Sequence, residues 1–183
     1  SPYERNKDDA RLTLCRQRAL EAGVPLAYVN LVGGQDELVF DGDSLVVDGT
    51  GEPLARAPQF DETLLIHDLS EPGPQLIPDR LSDEAEVYQA LVTGLRDYVR
   101  KNAMPSVILG LSGGIDSALT AAIAVDALGP DAVHGVALPS AYSSQHSQDD
   151  AADLARRPGL TFRSVPTASM VHALQPHLRL TAL

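Results

Sequence analysis

The sequence predicts an α/β fold in two parts: the closing strands of one sheet, then a doubly wound parallel sheet that is cut short. Three features predict it. Residues 83–165 alternate helical and strand patterns, and the order strand–helix–strand–helix–strand means crossover connections between parallel strands. Residues 26–67 instead hold short apolar runs broken by turn residues, the pattern of a sheet-rich domain. Between them, residues 68–82 carry Pro72, Pro74 and Pro78 with Glu71, Gly73 and Asp79. Such a run builds neither helix nor central strand and reads as a linker. The partition is therefore 1–67, 68–82 and 83–183.

Residues 7–22 read as a helix, with Leu12, Cys15, Ala19 and Ala22 at helical spacing and Gly23 and Pro25 as the stop. Runs 26–32, 37–40, 44–47 and 63–66 have strand character. Gly33-Gly34, Asp41-Gly42 and residues 48–51 supply turns, and 45–47 with 54–57 reads as a hairpin. In the second part, 83–101 is a helix whose apolar face includes Tyr88, Leu91, Leu95 and Tyr98. Strands follow at 106–111, 132–138 and 161–165, with helices at 115–128 and 145–157. Three strands make a thin sheet, and the chain starts at Ser1 without methionine, so the expectation is a piece from the middle of a longer protein.

A net charge of −11 argues against a broad nucleic-acid or anionic-membrane surface. It leaves phosphate binding by backbone N–H groups open. One cysteine permits no intramolecular disulfide and no zinc cluster, which fits a reducing, cytoplasmic compartment. No run is long enough to span a membrane, and none reads as a signal peptide.

The segment that carries chemistry is Ser112-Gly113-Gly114-Ile115-Asp116-Ser117, entered from a strand through Gly110-Leu111 and followed by a helix. Unpaired N–H groups and the positive helix end make an anion site there. Gly113 and Gly114 permit unusual φ values and remove the Cβ that would keep a phosphate away. Ser112 and Ser117 add hydroxyl donors. Asp116 would repel phosphate unless Mg²⁺ lay between them, which favours a metal role. No lysine follows Gly114, so this is not a Walker A loop. The plainer alternative is a Ser-Gly-Gly turn with Asp116 and Ser117 capping the helix.

This loop resembles that of the N-type ATP pyrophosphatases, which grip the β and γ phosphates of ATP as leaving pyrophosphate. The resemblance implies an adenine nucleotide α hydrolase-like fold, with ATP held by Gly110, Leu111, Ser112, Gly113, Gly114, Ile115, Asp116 and Ser117. Residues 136–140 end a parallel strand and face the same crevice, with Leu138 against the adenine. Residues 86–99 before the loop, 121–129 after it and 138–147 are similar to glutamine-dependent NAD synthetase, except that Ala141 stands where that family usually has arginine. Residues 28–42 resemble late strands of the nitrilase-like glutaminase domain fused to that synthetase. Ser1-Pro2-Tyr3 with Lys7 is similar to the segment after its nucleophile, which implies glutamine contacts for Ser1 and Lys7.

The resemblance implies small-molecule substrates (ATP, deamido-NAD and glutamine or its ammonia), Mg²⁺, no nucleic-acid or membrane partner, and a homo-oligomer. The glutaminase Glu, Lys and Cys are expected upstream of Ser1, and deamido-NAD residues beyond Leu183, so no catalytic residue is expected within this chain. Another amidating enzyme of the GMP synthetase type and an inactive nucleotide-binding fragment remain as alternatives.

Other polar residues read as structural. Cys15 sits on an apolar stripe and reads as buried. His134, His146, His172 and His177 show no metal spacing within one element. Asp149, Asp150 and Asp153 solvate a helix, with Ser143 or Ser144 as its N-cap. Gly33-Gly34 reads as a turn or bulge, and Asp36 and Glu37 as sheet-edge polar groups.

Overall fold

The computed structural model describes residues 1–5, 8–70 and 75–178. Lys7, Glu71, Pro72, Gly73 and Pro74 fall outside them, as does the His177 side chain. The elements are α1 (Asp8–Ala22), β1 (Leu26–Tyr28), β2 (Val32–Gln35), β3 (Leu38–Asp41), β4 (Leu45–Val47), β5 (Pro53–Arg56), α2 (Asp83–Lys101), β6 (Val107–Gly110), α3 (Ile115–Leu128), β7 (Val133–Ala137), α4 (Gln145–Arg156), β8 (Thr161–Ser164) and α5 (Ala168–Leu178). They form two compact units, Ser1–Tyr98 and Val99–Leu183, divided inside α2. Among the described residues, no helix is long and apolar enough to cross a membrane.

In the first unit, β1, β4 and β5 form an antiparallel sheet, and β2 pairs with β3 as a separate hairpin. Helix α1 buries Cys15 and Ala19 against Leu45 and Val47, with Leu12, Leu26 and Tyr28 packed around them. Burial pushes the Cys15 thiol up in pKa, which suits an inert core residue. Ala22, expected on this stripe, is exposed; a buried Arg11 begins the stripe instead.

Arg11 is drawn inward by two aspartates at the end of β3. Its guanidinium bonds both oxygens of Asp41 at 2.8–2.9 Å, and Asp41 is 0% exposed. Asp43 is equally buried, with a left-handed φ of 54°, and takes Arg56 at 2.5 and 2.7 Å and Arg80 at 3.2–3.3 Å. Arg80 reaches on to Glu86 at 3.0 Å, and Glu86 also accepts from Gln59. A buried charge without a partner is costly, so these arginines are obligatory. Burial lifts the Asp41 carboxyl above its ordinary range. At Arg11 burial opposes the charge but is outweighed by the bonds and charge of Asp41, so the guanidinium is held protonated.

Four local expectations need correction. Run 26–32 is not one strand: the chain leaves the ladder after Tyr28, where the Asn30 N–H donates to Ser44 Oγ at 2.9 Å. Gly33-Gly34 lies inside β2 and the hairpin turns at Asp36, whose φ is 51°. Residues 63–66 form no strand; Leu64 is 85% exposed, and no described segment offers them a ladder. The expected face of α2 also differs: Glu86, Ala90, Val92, Thr93 and Val99 are buried while Leu91 and Tyr98 are exposed. The reason is contact distance. A Cβ on Gly34 would stand 3.1 Å from the Gly94 Cα, and the Gly34 N–H donates to Asp97 at 2.8 Å. Only a small residue fits an approach that close, which places Gly94 against β2.

The end of the proline-rich run is docked. Leu76 pairs with β5 through Arg56 N–H to its carbonyl at 2.8 Å and its own N–H to the Leu54 carbonyl at 3.1 Å.

In the second unit, β6, β7 and β8 are parallel and in consecutive order. Right-handed crossovers in one direction place α3 and α4 on the same face. Its buried residues are mostly small: Ala121, Ala124, Ala127, Ala137, Ala151 and Ala155, beside Leu111, Val133 and Leu160. Gly135 makes room for this, because a Cβ there would lie 2.6 Å from Leu111 Cδ1. Helix α5 was not anticipated from the sequence.

Two measurements test this fold. Arg11→Met should destabilise the protein by about 3–5 kcal/mol in denaturant titration, and Arg11→Met/Asp41→Leu should recover most of that loss. Equal stability of Arg11→Met and the parent would show that the pair is not buried. The Asp48 carboxylate accepts from Thr50 Oγ1 and from the Thr50 and Glu52 amides at 2.8 Å, so its pKa lies below the ordinary carboxylate range. Its contribution to the β4–β5 turn is complete above the unfolded-state pKa and is lost as pH falls through the lower folded value. Carbon-detected NMR titration should place the Asp48 midpoint below those of unbonded aspartates.

Candidate functional site

Strand β6 ends at Gly110, and Leu111 continues toward β7 by donating its N–H to the Val136 carbonyl at 2.9 Å. The chain then turns through Ser112 and Gly113 into α3. The N-cap of α3 is Gly114 in extended geometry, with no side chain bonded to the first helical amides. The capping alternative is therefore not what forms. Ser117 Oγ donates back to the Gly114 carbonyl at 2.9 Å and lies 3.3 Å from Ser112 Oγ, which in turn accepts from the Gly114 N–H at 3.3 Å. These bonds hold the two hydroxyls together at the loop. Asp116 follows in the first turn, exposed, and its carboxylate makes no bond or ion pair with the described residues.

A cavity of about 290 Å³ lies beside the loop. Gly110, Leu111 and Ser112 form one wall, and residues 136–139 form another. Leu138 is in this lining, as the rule for strand ends predicted. Gly113, Gly114, Ile115, Asp116 and Ser117 continue from that wall into α3 and do not line the cavity itself. Ser1 belongs to the first unit.

The third wall comes from α4: Ser147, Gln148 and Ala151, with Ser143 just before the helix. These were missed in the sequence as site residues. The available signal was the one-face spacing of 147, 148 and 151. The N-cap of α4 is Ser144, which accepts from the Ser147 N–H at 3.2 Å, while Ser143 Oγ accepts from the Ser140 N–H. The helix also reaches the loop directly. Gly113 has φ of 80°, and a Cβ there would sit 2.4 Å from the Ser147 carbonyl oxygen. Glycine at 113 is thus demanded by α4 as well as by the turn.

The acidic residues of α4 have local partners. Gln145 donates to Asp149, His146 pairs with Asp150, and Arg156 and Arg157 bond Asp153, which lowers its pKa. Among the described residues no His, Cys, Asp and Glu group could hold a metal as a cluster.

Residues 87–182 match the family model for NAD synthase, and residues 3–73 match that for carbon-nitrogen hydrolase. The chain belongs to the NAD synthase family. It is 46% identical, over its whole length, to the glutamine-dependent NAD(+) synthetase of Rhodobacter capsulatus and covers 35% of that relative. The corresponding protein of Synechocystis is 46% identical over 91% of this chain, which covers 31% of it. The chain thus spans about a third of the length of the curated relatives it matches. The glutamine-dependent NAD+ synthetase of Acinetobacter baumannii, solved with adenosine diphosphate, superposes on all of this chain with TM-score 0.87 at 42% identity, and the chain covers 36% of it. A glutamine-dependent NAD(+) synthetase from Cytophaga hutchinsonii, at 20% identity and TM-score 0.83 over 98% of this chain, shares the fold. This family membership agrees with the α/β architecture and its parallel sheet.

Gly113→Ala should cost more than about 1 kcal/mol, since the substitution adds left-handed strain to a steric overlap. Hydrogen exchange should accelerate at the Ser147 and Gln148 amides. Unchanged protection there would show that α4 does not rest on the loop.

Proposed function

We propose that the full-length protein makes NAD by ATP-dependent amidation of deamido-NAD, with ammonia released from glutamine. The observation that carries this reading is the Ser112–Ser117 loop, placed between a parallel strand and an uncapped helix N-terminus beside the cavity. The named activity of the relatives and the nucleotide bound to the A. baumannii protein support it.

The nicotinate carboxylate attacks the α phosphorus of ATP, the bond from that phosphorus to the bridging oxygen breaks, and pyrophosphate leaves with the electron pair. The N–H groups of the loop and of the first turn of α3 hold the β and γ phosphates, and the Ser112 hydroxyl donates to them. Leu138 and neighbouring apolar groups cover the adenine. Ammonia then attacks the acyl adenylate and expels AMP, leaving the amide. Asp116 fits Mg²⁺: its carboxylate is a hard oxygen ligand, exposed and unpaired next to an anion site. When bound, Mg²⁺ supplies positive charge against the phosphates.

In this reading residues 1–67 end the glutaminase domain, 68–82 connect, and 83–183 begin the synthetase domain. Ser1 and Lys7 contact glutamine. A cytoplasmic location and a homo-oligomer complete the proposal, the former in keeping with a single free, buried cysteine.

In the full-length protein, Asp116→Ala should lower AMP formation at least 100-fold and leave glutamine hydrolysis measurable. Undiminished NAD synthesis in that variant would remove Asp116 from the site.

A further inference from the structure

The cavity beside the Ser112–Ser117 loop has apolar walls and one polar side chain with bonding capacity to spare. Val136, Leu138, Pro139 and Ala151 supply apolar surface. The three serine hydroxyls in the lining are already bonded to their own surroundings. Ser112 Oγ accepts from the Gly114 N–H at 3.3 Å, Ser143 Oγ accepts from the Ser140 N–H at 2.9 Å, and Ser147 Oγ lies 2.9 Å from Ser144 Oγ. Gln148 on α4 is different. It is half-buried and lines the cavity, and its Nε2 donates to the Ser143 carbonyl at 3.4 Å. Its Oε1 and its second Nε2 hydrogen meet no partner among the described residues.

The bond to Ser143 orients the amide. A carbonyl only accepts, so Nε2 is the end that faces Ser143, and Oε1 is turned away from it. One acceptor and one donor are left side by side. An adenine edge offers the matching pair, an amino donor next to a ring-nitrogen acceptor, which is why a glutamine amide reads adenine well. A 6-oxopurine presents an acceptor where adenine has its amino donor. To meet it the Gln148 amide would have to flip, which loses the bond to Ser143 and sets Oε1 against the Ser143 carbonyl.

We infer that Gln148 determines nucleotide specificity by accepting from the 6-amino group of the adenine ring. This rests on the proposed ATP-dependent reaction, in which the phosphates occupy the loop amides and the flat base enters the apolar slot next to them. The apolar walls hold any purine, and the Gln148 amide selects the aminated one.

The test uses the full-length enzyme with deamido-NAD and ammonium chloride. The nucleotide is ATP or purine riboside triphosphate, which lacks only the 6-amino group. The parent should prefer ATP about tenfold in kcat/KM, carried mainly by KM. Gln148→Met keeps the length and helix propensity of the side chain but removes the amide. It should lower kcat/KM for ATP about tenfold, change that for the analogue less than twofold, and so bring the ratio of the two near one. A parent that uses both nucleotides equally overturns the inference. So does a variant that keeps the parent's preference, with NAD synthesis from ATP left standing. Equal losses with both nucleotides and a lower Tm overturn it as well, because they mark a structural residue. Failure of the parent to form NAD from ATP at all refutes the proposed function, and the inference with it.

Discussion

Two carboxylates that cannot be left bare organise the first unit. Asp41 and Asp43 are both shut away from solvent at the end of β3. Stripping a carboxylate of water costs several kcal/mol, and only well-placed cations and donors offset that. The cations come from every direction: Arg11 from α1, Arg56 from β5 and Arg80 from the segment before α2. Satisfying two acids therefore fixes how a helix, a strand and a connecting segment are placed. The left-handed backbone at Asp43 belongs to the same constraint, since Asp tolerates it better than most residues and it directs the carboxylate to two arginines. Such a cluster adds little net stability compared with an apolar core, and its distinctive effect is to penalise every other arrangement of these segments.

The second unit solves its problem with small residues. Helices α3 and α4 cover one face of its parallel sheet, and there Ala121, Ala124 and Ala127 let α3 approach closely while Gly135 leaves room for Leu111. Close packing then constrains the site. Helix α4 comes so near the Ser112–Ser117 loop that residue 113 has no room for a Cβ. The loop is braced on two sides, by its own serine hydroxyls and by the main chain of α4. Bracing of this kind is what electrostatic preorganisation would require of the loop in the proposed reaction.

Much of this was legible in the sequence. Strand–loop–helix order around Ser112–Ser117 follows from local patterns, as do the three parallel strands, the burial of Cys15 and the placing of Leu138 at the cavity. The misreadings have a common cause. Gly33-Gly34 looked like a turn because two glycines relax the backbone, yet they are small so that Gly94 and Asp97 of a distant helix can touch β2. Tyr88, Leu91, Leu95 and Tyr98 looked like the core face of α2 because they are large, yet Leu91 and Tyr98 are exposed, Tyr88 and Leu95 are half-buried, and the close approach to β2 is made at Gly94. Asp41-Gly42 read simply as turn residues, and the burial of Asp41 was hidden because its partner Arg11 lies 30 positions away. Periodicity reports what a segment prefers. It is silent on which remote backbone will press against it.

The end of the proline-rich run is tied into the first unit. A proline-rich run suggests a free tether, because proline supplies no N–H for a ladder and resists helix. Here the tether is consumed at its end: Leu76 extends the β5 edge, the Leu81 N–H donates to Gln59 at 3.1 Å, and Arg80 closes onto Asp43 and Glu86. Glu86 stands in the first turn of α2, and Asp97, about three turns later, is bonded to β2. A helix held at both points cannot swing from its first residue.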